Sequence, residues 1–318
     1  MKAMLDQSVT PVVTPPSSTS ALEAADAHAD VRRPNVVCSM QTAFGCPRDF
    51  LDNRYVYVVI SPRARGLSIG INLNPDKQCN FQCIYCEVDR SIPGGSPELD
   101  LDVIADELHR TIHYINAGGL EVHPRYSGLS PDLLRPRHVT LSGDGEPTLC
   151  PQFLEVVQTV AHVRAMGRVP FFKIVLITNA SNLDGPSVQQ GLELFTSRDE
   201  VWAKLDAGTQ EYMQRVNVAD VSLEKVLANI LLVAKQRPIV IQSLFPMVNG
   251  QPPSTEEIEA FAQRLNTLKQ SGGRIGLVQI NSATRPHAHP QCGHLPLRHL
   301  SQIAQTVRLV TGLKVEVF

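Results

Sequence analysis

From residue 67 to the C terminus, short apolar runs alternate with amphipathic segments that have helical spacing. Between Lys173 and Thr178 the chain is almost continuously apolar, as expected for a parallel strand that is covered on both faces. The predicted strands are 53–60, 67–73, 138–141, 173–178, 201–205, 239–245, 275–281 and 314–318. From residue 67 onward they form six strand–helix units and a closing strand. This pattern predicts an α/β fold with right-handed crossovers, either an open doubly wound sheet or a partial barrel.

Polar or small residues follow these strands where each one ends. The last such positions are Asp206 after the run 201–205, Gln242 within 239–245, and Asn281. Because the carboxyl ends of parallel strands meet at one mouth, these side chains are expected to lie around a single site. A partial (β/α)6, TIM-like barrel explains this pattern most economically, so we predict that architecture.

The chain is predicted to have three parts. Residues 1–30 are rich in Ser, Thr, Pro and Ala and predict a disordered tail, because such a segment buries too little apolar surface to fold. Residues 31–66 are predicted to be an N-terminal extension, and residues 67–318 the core domain. No secretory signal is recognisable, and no run approaches 18 apolar residues, so no membrane span is expected.

Composition narrows the range of functions. A hydrophobic content of 43% over 318 residues is enough for a large core. The formal net charge of −2 argues mildly against a large nucleic-acid footprint. Seven cysteines, three of them close together, favour metal chemistry in a reducing compartment over disulfides. We therefore predict a cytoplasmic protein.

The densest chemical feature is a segment with three cysteines in eight residues, Cys79, Cys83 and Cys86. Thiolates are strong soft ligands and hold iron–sulfur clusters. Three of them cannot saturate a four-iron cluster, so one iron would remain open to a ligand that is not protein. The alternative is a structural zinc site, but such sites usually take four protein ligands, often in two short pairs.

The spacing Cys79-x-x-x-Cys83-x-Tyr85-Cys86 resembles the cluster motif of the radical S-adenosylmethionine (SAM) superfamily. Similarly, Gly143-Asp-Gly-Glu146-Pro resembles that superfamily's Gly-Gly-Glu stretch, with Asp144 where a second glycine is common. The resemblance extends over residues 67–318. The stretches 66–75, 142–148, 204–208 and 281–286 are most similar to the branch that contains wyosine-type (tRNA imidazoguanosine) synthases and uncharacterised Fe–S oxidoreductases.

The resemblance implies a [4Fe–4S] cluster on the three cysteines, with SAM bound to the fourth iron. Reductive cleavage of SAM would then yield a 5′-deoxyadenosyl radical that abstracts hydrogen from an unidentified substrate. A small electron-donor protein of the flavodoxin or ferredoxin type is implied as a partner. The alternatives are a wyosine-type enzyme acting on a tRNA base, and an Fe–S or zinc protein that binds without catalysis.

The resemblance also implies residues for SAM. Glu146 is a carboxylate suited to the SAM ammonium group, and Tyr85 could pack against the adenine. Gly143 and Gly145 would let the backbone approach the ligand closely. The remaining candidates stand at strand ends and are Asp144, Ser181, Lys204, Asp206, Gln242 and Asn281.

Other metal-ligating residues leave alternatives open. Cys38 and Cys46 precede the barrel, as do the cysteines of a second cluster in wyosine-type synthases, but that site takes three. The segment 285–294 contains three histidines and a cysteine, interrupted by prolines. It predicts a polar loop over the mouth more than a second metal site, and Arg285 could bind a substrate anion.

Overall fold

The computed structural model describes residues 42–45, 48–285 and 289–318. The predicted tail, Cys38, Cys46 and His287 lie outside the described residues. The strands are β1 Val56–Ser61, β2 Gly66–Asn72, β3 Pro136–Ser142, β4 Ile174–Thr178, β5 Glu200–Lys204, β6 Ile239–Leu244, β7 Met247–Val248, β8 Ile275–Asn281, β9 Cys292–Gly293 and β10 Val315–Val317. The helices are α1 Leu101–Asn116, α2 Gly119–Val122, α3 Pro131–Leu134, α4 Phe153–Ala165, α5 Pro186–Glu193, α6 Gln210–Val216, α7 Leu223–Gln236, α8 Thr255–Gln270 and α9 Leu297–Thr311.

Eight of the described strands form one sheet in the order β1-β2-β3-β4-β5-β6-β8-β10. Strand β1 is antiparallel to β2, and every other neighbouring pair is parallel. Six units of parallel strand and helix, closed by β10, confirm the predicted partial TIM-like barrel. Strands β7 and β9 form a separate antiparallel ribbon.

The strand register brings the predicted polar ends to one edge of the sheet. Asn72 pairs with Ser142, and Lys204 pairs with Gln242. Gln242 in turn pairs with Gln279, two residues before the end of β8. The residues that follow the strands therefore surround a common mouth.

The strand sequences are apolar because the strands are buried. All seven residues of β2 are buried, because one face packs on helices and the other faces the barrel interior. The helices bury one stripe each; in α1 that stripe includes Ile104, Leu108 and Ile112. Gly312 ends α9 in a left-handed conformation (φ 66°), which glycine adopts without strain.

Two segments between the predicted strands contain short helices. The segment 117–136 holds α2 and α3, and the segment 209–220 holds α6. Thr209 begins α6 by accepting a hydrogen bond from the Tyr212 amide at 3.2 Å. These helices are four to seven residues long, too short for the helical periodicity used in the prediction.

None of the helices in the described ranges is long and apolar enough to cross a membrane.

Candidate functional site

A cavity of about 560 Å³ opens at the mouth of the barrel. Its volume lies within the roughly 300–1,000 Å³ that is usual for small-molecule sites. Most of the predicted site residues line it, namely Cys79, Cys83, Tyr85, Cys86, Gly143, Asp144, Gly145, Glu146, Lys204 and Gln242. The other three candidates, Ser181, Asp206 and Asn281, are buried beside it and do not line it.

The cysteine segment is held in place by backbone hydrogen bonds to the end of α6. The amide of Gln82 donates to the Asn217 carbonyl at 3.0 Å, and the amide of Ile84 donates to the Val216 carbonyl at 2.9 Å. The apolar side chains of Phe81 and Ile84 are buried in the core. The segment is thus anchored on one side, and its three cysteines face the cavity on the other.

The donor set fits an iron–sulfur cluster. Burial raises the pKa of Cys79 to about 12 and also raises the pKa of Cys83, so their thiolates are costly without a positive partner. Coordination by a cationic cluster would supply that partner and deprotonate the thiols. Three soft ligands on one segment, opening into one cavity, can hold such a cluster and leave one iron open to another ligand.

The turn 143–146 packs directly against the cysteine segment. Gly143 has φ 149°, and a Cβ there would lie 2.1 Å from the Asn72 side-chain oxygen. A Cβ on Gly145 would lie 2.0 Å from the carbonyl oxygen of Gln78, the residue before Cys79. The Glu146 amide donates to that same carbonyl at 2.9 Å. Only glycine therefore lets the two segments approach this closely.

Glu146 is buried, and its carboxylate accepts several hydrogen bonds. Thr178 and Thr148 donate their hydroxyls at 2.5 and 2.7 Å, and the Asn179 amide donates at 2.7 Å. Burial raises the pKa of Glu146, and these hydrogen bonds oppose the rise. The side chain is therefore fixed at the cavity wall by the ends of β3 and β4.

Asp144, the departure from the Gly-Gly-Glu pattern, binds other parts of the protein. It accepts from the Arg48 guanidinium at 2.8 and 3.1 Å, and from the Asn72 amide group at 2.7 Å. Arg48 also stacks over the ring of Tyr57, 3.6 Å from its centroid. Asp144 thus links the N-terminal segment to the cavity wall.

A buried polar network lies behind Cys83. Tyr85 donates its hydroxyl to the Asp206 carboxylate, which also accepts from the Asn217 side chain at 2.8 Å and from the Leu244 amide at 2.8 Å. The Asn217 amide group also reaches the Cys83 sulfur at 3.4 Å. Asp206 therefore connects Tyr85, Asn217 and the end of β6 behind the cavity wall.

Lys204 lies on the cavity side of this network. Its ammonium group is 4.9 Å from the centroid of the Tyr85 ring, a cation–π geometry. Among the described residues, no carboxylate lies within ion-pairing distance of it. It is a half-buried cation that opens into the cavity.

The candidates outside the cavity have partners within the protein. Ser181 donates to the Asn80 side chain at 3.2 Å. The Asn281 side chain lies between the Ser243 carbonyl at 2.9 Å and the Arg63 guanidinium at 3.0 Å. Both stand at strand ends as predicted, one layer behind the surface of the cavity.

The loop after β8 approaches the cysteine segment. Arg285 pairs with Glu87, the residue after Cys86, at 3.0 Å. Cys292 is buried in β9, where it pairs with Val248 of β7. Among the described residues, no group of three or more His, Cys, Asp or Glu side chains is arranged to hold a single metal ion.

Three residues that line or support the site carried no signal in the sequence. Arg48 lies in the segment before β1, Arg90 follows the cysteine motif, and Asn217 ends α6. Each contacts a predicted site residue through a side chain. Arg48 and Asn217 are far in sequence from the site residues that they contact, and only the fold brings them together.

No family model matches the chain. It is 30% identical over 242 residues to a UPF0026 protein from Helicobacter pylori, a match that covers 73% of this chain and 67% of the relative. The match therefore spans about two thirds of the relative's length.

Two solved structures show the same fold at low sequence identity. TYW1 with a lysine–pyruvate adduct bound has a TM-score of 0.52 and 17% identity, and the match covers 82% of this chain and 85% of that one. Streptococcus suis SuiB bound to S-adenosylmethionine has a TM-score of 0.54 and 12% identity, covering 80% and 52%. Both are radical SAM enzymes, and their likeness to this chain confirms the predicted fold, a partial TIM-like barrel.

Proposed function

The chain belongs to the UPF0026 family, and from this premise we propose that it is a radical SAM enzyme. It would hold a [4Fe–4S] cluster on Cys79, Cys83 and Cys86 and use it to cleave SAM. The observation that carries the proposal is the single cavity shared by the three thiols and the turn 143–146, at the mouth of a radical SAM barrel.

A cluster held by Cys79, Cys83 and Cys86 would supply one-electron reduction of SAM, for its cleavage to methionine and a 5′-deoxyadenosyl radical able to abstract hydrogen from a substrate. The protein's own residues bind SAM, orient it and exclude water. The cavity is lined by strand ends, by the cysteine segment and by the turn 143–146.

Two charged residues of the cavity wall complement the ammonium and carboxylate groups that the methionine part of SAM carries on its α-carbon. We assign the SAM ammonium group to the side of Glu146, an acceptor held by β3 and β4. We assign the carboxylate to Lys204, whose ammonium group opens into the cavity without a carboxylate partner among the described residues. Tyr85 lies beneath Lys204 and contributes apolar area.

The electron would come from a small donor protein of the flavodoxin or ferredoxin type. The loop that follows Cys86 supports this assignment, because residues 89–98 are exposed at the side of the cavity where the cysteines lie. A donor docking there would approach the cluster without entering the cavity.

Anaerobic reconstitution tests the proposal. The protein should take up about four iron and four sulfide per chain. With strong reductant and SAM it should then release 5′-deoxyadenosine and methionine. Protein that binds neither iron nor sulfide, or that holds zinc alone, would exclude the proposal and favour a non-catalytic metal protein.

Cysteine variants localise the activity. Cys83→Ala should lose the bound iron and reduce 5′-deoxyadenosine to background, because one of the three ligands is removed. Cys150→Ala is the matched control, since Cys150 is a buried free thiol outside the cavity. Equal iron contents in these two variants would contradict the assignment of the ligands.

A further inference from the structure

Each of the three motif cysteines accepts a hydrogen bond at its sulfur from a different kind of donor. The backbone amide of Phe81 donates to Cys79 at 3.4 Å, and the Asn217 side-chain amide donates to Cys83 at 3.4 Å. The donor to Cys86 is the Arg90 guanidinium, at 3.1 Å. Of the three contacts, the one at Cys86 is the shortest and the only one with a full positive charge.

Arg90 is placed by contacts with two neighbouring segments of the cavity wall. Arg90 lies four residues after Cys86, in a segment without regular secondary structure outside the barrel strands. Its second terminal nitrogen lies 3.5 Å from the carbonyl oxygen of Asp144, in the turn 143–146. The guanidinium thus bridges the cysteine segment and the turn that packs against it.

A cation at a ligating sulfur changes the energy of the electron that enters a cluster. Reduction adds a negative charge, and a nearby positive charge stabilises the reduced state more than the oxidised state. Hydrogen bonds to the sulfurs act in the same direction, and a charge-assisted bond is about twice as strong as a neutral one. The bond at Cys86 should therefore have the largest effect of the three.

We propose that Arg90 is a positioning residue that holds Cys86 toward the cavity and raises the reduction potential of the cluster bound there. The inference rests on the proposed function, because it requires a cluster on the three cysteines. Arg90 would thus help to set the reduction potential at which the cluster accepts its electron. Asn217 supplies the equivalent neutral contact at Cys83.

The test is the midpoint potential of the reconstituted protein, followed by electron paramagnetic resonance, in four variants. Arg90→Gln should lower the equilibrium constant for reduction about tenfold, which is about 59 mV for a one-electron couple. Arg90→Lys retains the charge, so its midpoint potential should stay closer to that of the wild type. The midpoint potential of Arg90→Leu should be at least as low as that of Arg90→Gln. Arg215→Gln removes an exposed arginine that pairs with Glu211, and it should leave the potential unchanged.

Salt provides a second readout that a purely structural role would not give. Because Arg90 is exposed, ions screen its charge, so the gap between wild type and Arg90→Gln should narrow between about 0.05 and 0.5 M salt. A potential of Arg90→Gln equal to that of the wild type at low salt, with full iron content, overturns the inference and leaves the proposed function standing. Wild-type protein that binds no cluster overturns both. If Arg90→Gln and Arg90→Leu lose the cluster but Arg90→Lys retains it at the wild-type potential, the positioning and the charge are both supported.

Discussion

Buried polar side chains shape the cavity by binding one another at the strand ends. Glu146 accepts from Thr148, Thr178 and Asn179, and these bonds fix it at the wall without any ligand. Such a satisfied network is rigid, because each buried group would lose a bond if it moved. The wall is therefore preorganised for the ligand that we propose.

Another buried polar residue, His138, lies at the opposite end of β3 and makes stability depend on pH. Its ring contacts the Ser68 hydroxyl at 3.0 Å and packs edge-on against Trp202. Burial lowers the pKa of His138 to about 3, and the charge of Lys173 adds to this. In the unfolded chain a histidine has a pKa of about 6.5. Between these two values the unfolded chain binds a proton that the folded protein does not.

Stability should therefore fall as the pH drops below about 6.5, with no such loss above it. The contribution of His138 to this fall is about 2 kcal/mol between pH 7 and pH 5. Urea denaturation of wild type and His138→Gln at several pH values isolates it, because the variant lacks the titrating group. His162→Gln, which changes an exposed histidine on α4, is the control and should keep the wild-type pH dependence. If the free energy of unfolding depends on pH in the same way for wild type and His138→Gln, the prediction is wrong.

Residues with chemical motifs could be predicted from the sequence, and their supporting residues could not. The three cysteines and Glu146 are site candidates from spacing and resemblance, and all four line the cavity at the barrel mouth. Asn217 was missed because it reaches Cys83 from 134 residues away, across the end of α6. A lone asparagine after a short helix has no pattern that indicates such a contact.

At the scale of elements, the site is a contact between two loops that follow neighbouring strands. The turn 143–146 follows β3, and the cysteine segment follows β2. Their contact depends on Gly145, at which a Cβ would lie 2.0 Å from the Gln78 carbonyl and 2.6 Å from the Asn74 side chain. Because the obstacle is backbone, the loops must separate to admit a side chain.

Gly145→Ala should therefore separate Glu146 from the cysteines. We expect a loss of SAM binding of at least tenfold, since the hydrogen bond from the Glu146 amide to Gln78 would also break. Equilibrium binding of SAM to the reconstituted protein measures this, with iron content as a check on the cluster. The control is Gly128→Ala, because a Cβ at Gly128 meets nothing within 4 Å. Equal affinity in both variants would show that the close contact has no role in the site.

Long elements were predicted well because their apolar periodicity spans several turns. The expected strand 275–281 is β8 with the same bounds, and the residues with apolar helical spacing in 297–311 form α9. Ser254 and Glu257 have the sequence spacing of a capping box, but only half of that motif is present. The Ser254 hydroxyl accepts from the Glu257 amide, but the Glu257 carboxylate binds Gly208 and Thr209 at the end of β5. Tertiary contacts of this kind override local rules that a sequence can indicate.

In the molecule as a whole, the segment before the barrel is joined to the sheet and to the first helix. Strand β1 extends the sheet next to β2, and its Tyr57 bonds to the Ser142 hydroxyl at 2.8 Å beside the cavity. The buried carboxylate of Glu107 in α1 accepts from three successive backbone amides at the start of β1, those of residues 54–56, at 2.7 to 3.1 Å. Helix, edge strand and cavity wall are therefore mechanically connected.

Glu107→Ala should destabilise the whole protein rather than β1 alone. It removes a carboxylate that satisfies three backbone amides, two of them buried, and amides left without acceptors cost about 3 kcal/mol in total. Because β1 shares its ladder with β2, urea unfolding should remain a single transition, with a lower midpoint. Asp106→Ala, an exposed position on the same helix, should have a free energy of unfolding within about 0.5 kcal/mol of the wild type.

A separate early transition in Glu107→Ala would contradict this prediction and mean that β1 detaches by itself. In that case Tyr57 and Arg48 would leave the cavity wall while the barrel stayed folded. SAM affinity would then fall with the detachment of β1, before the barrel unfolds.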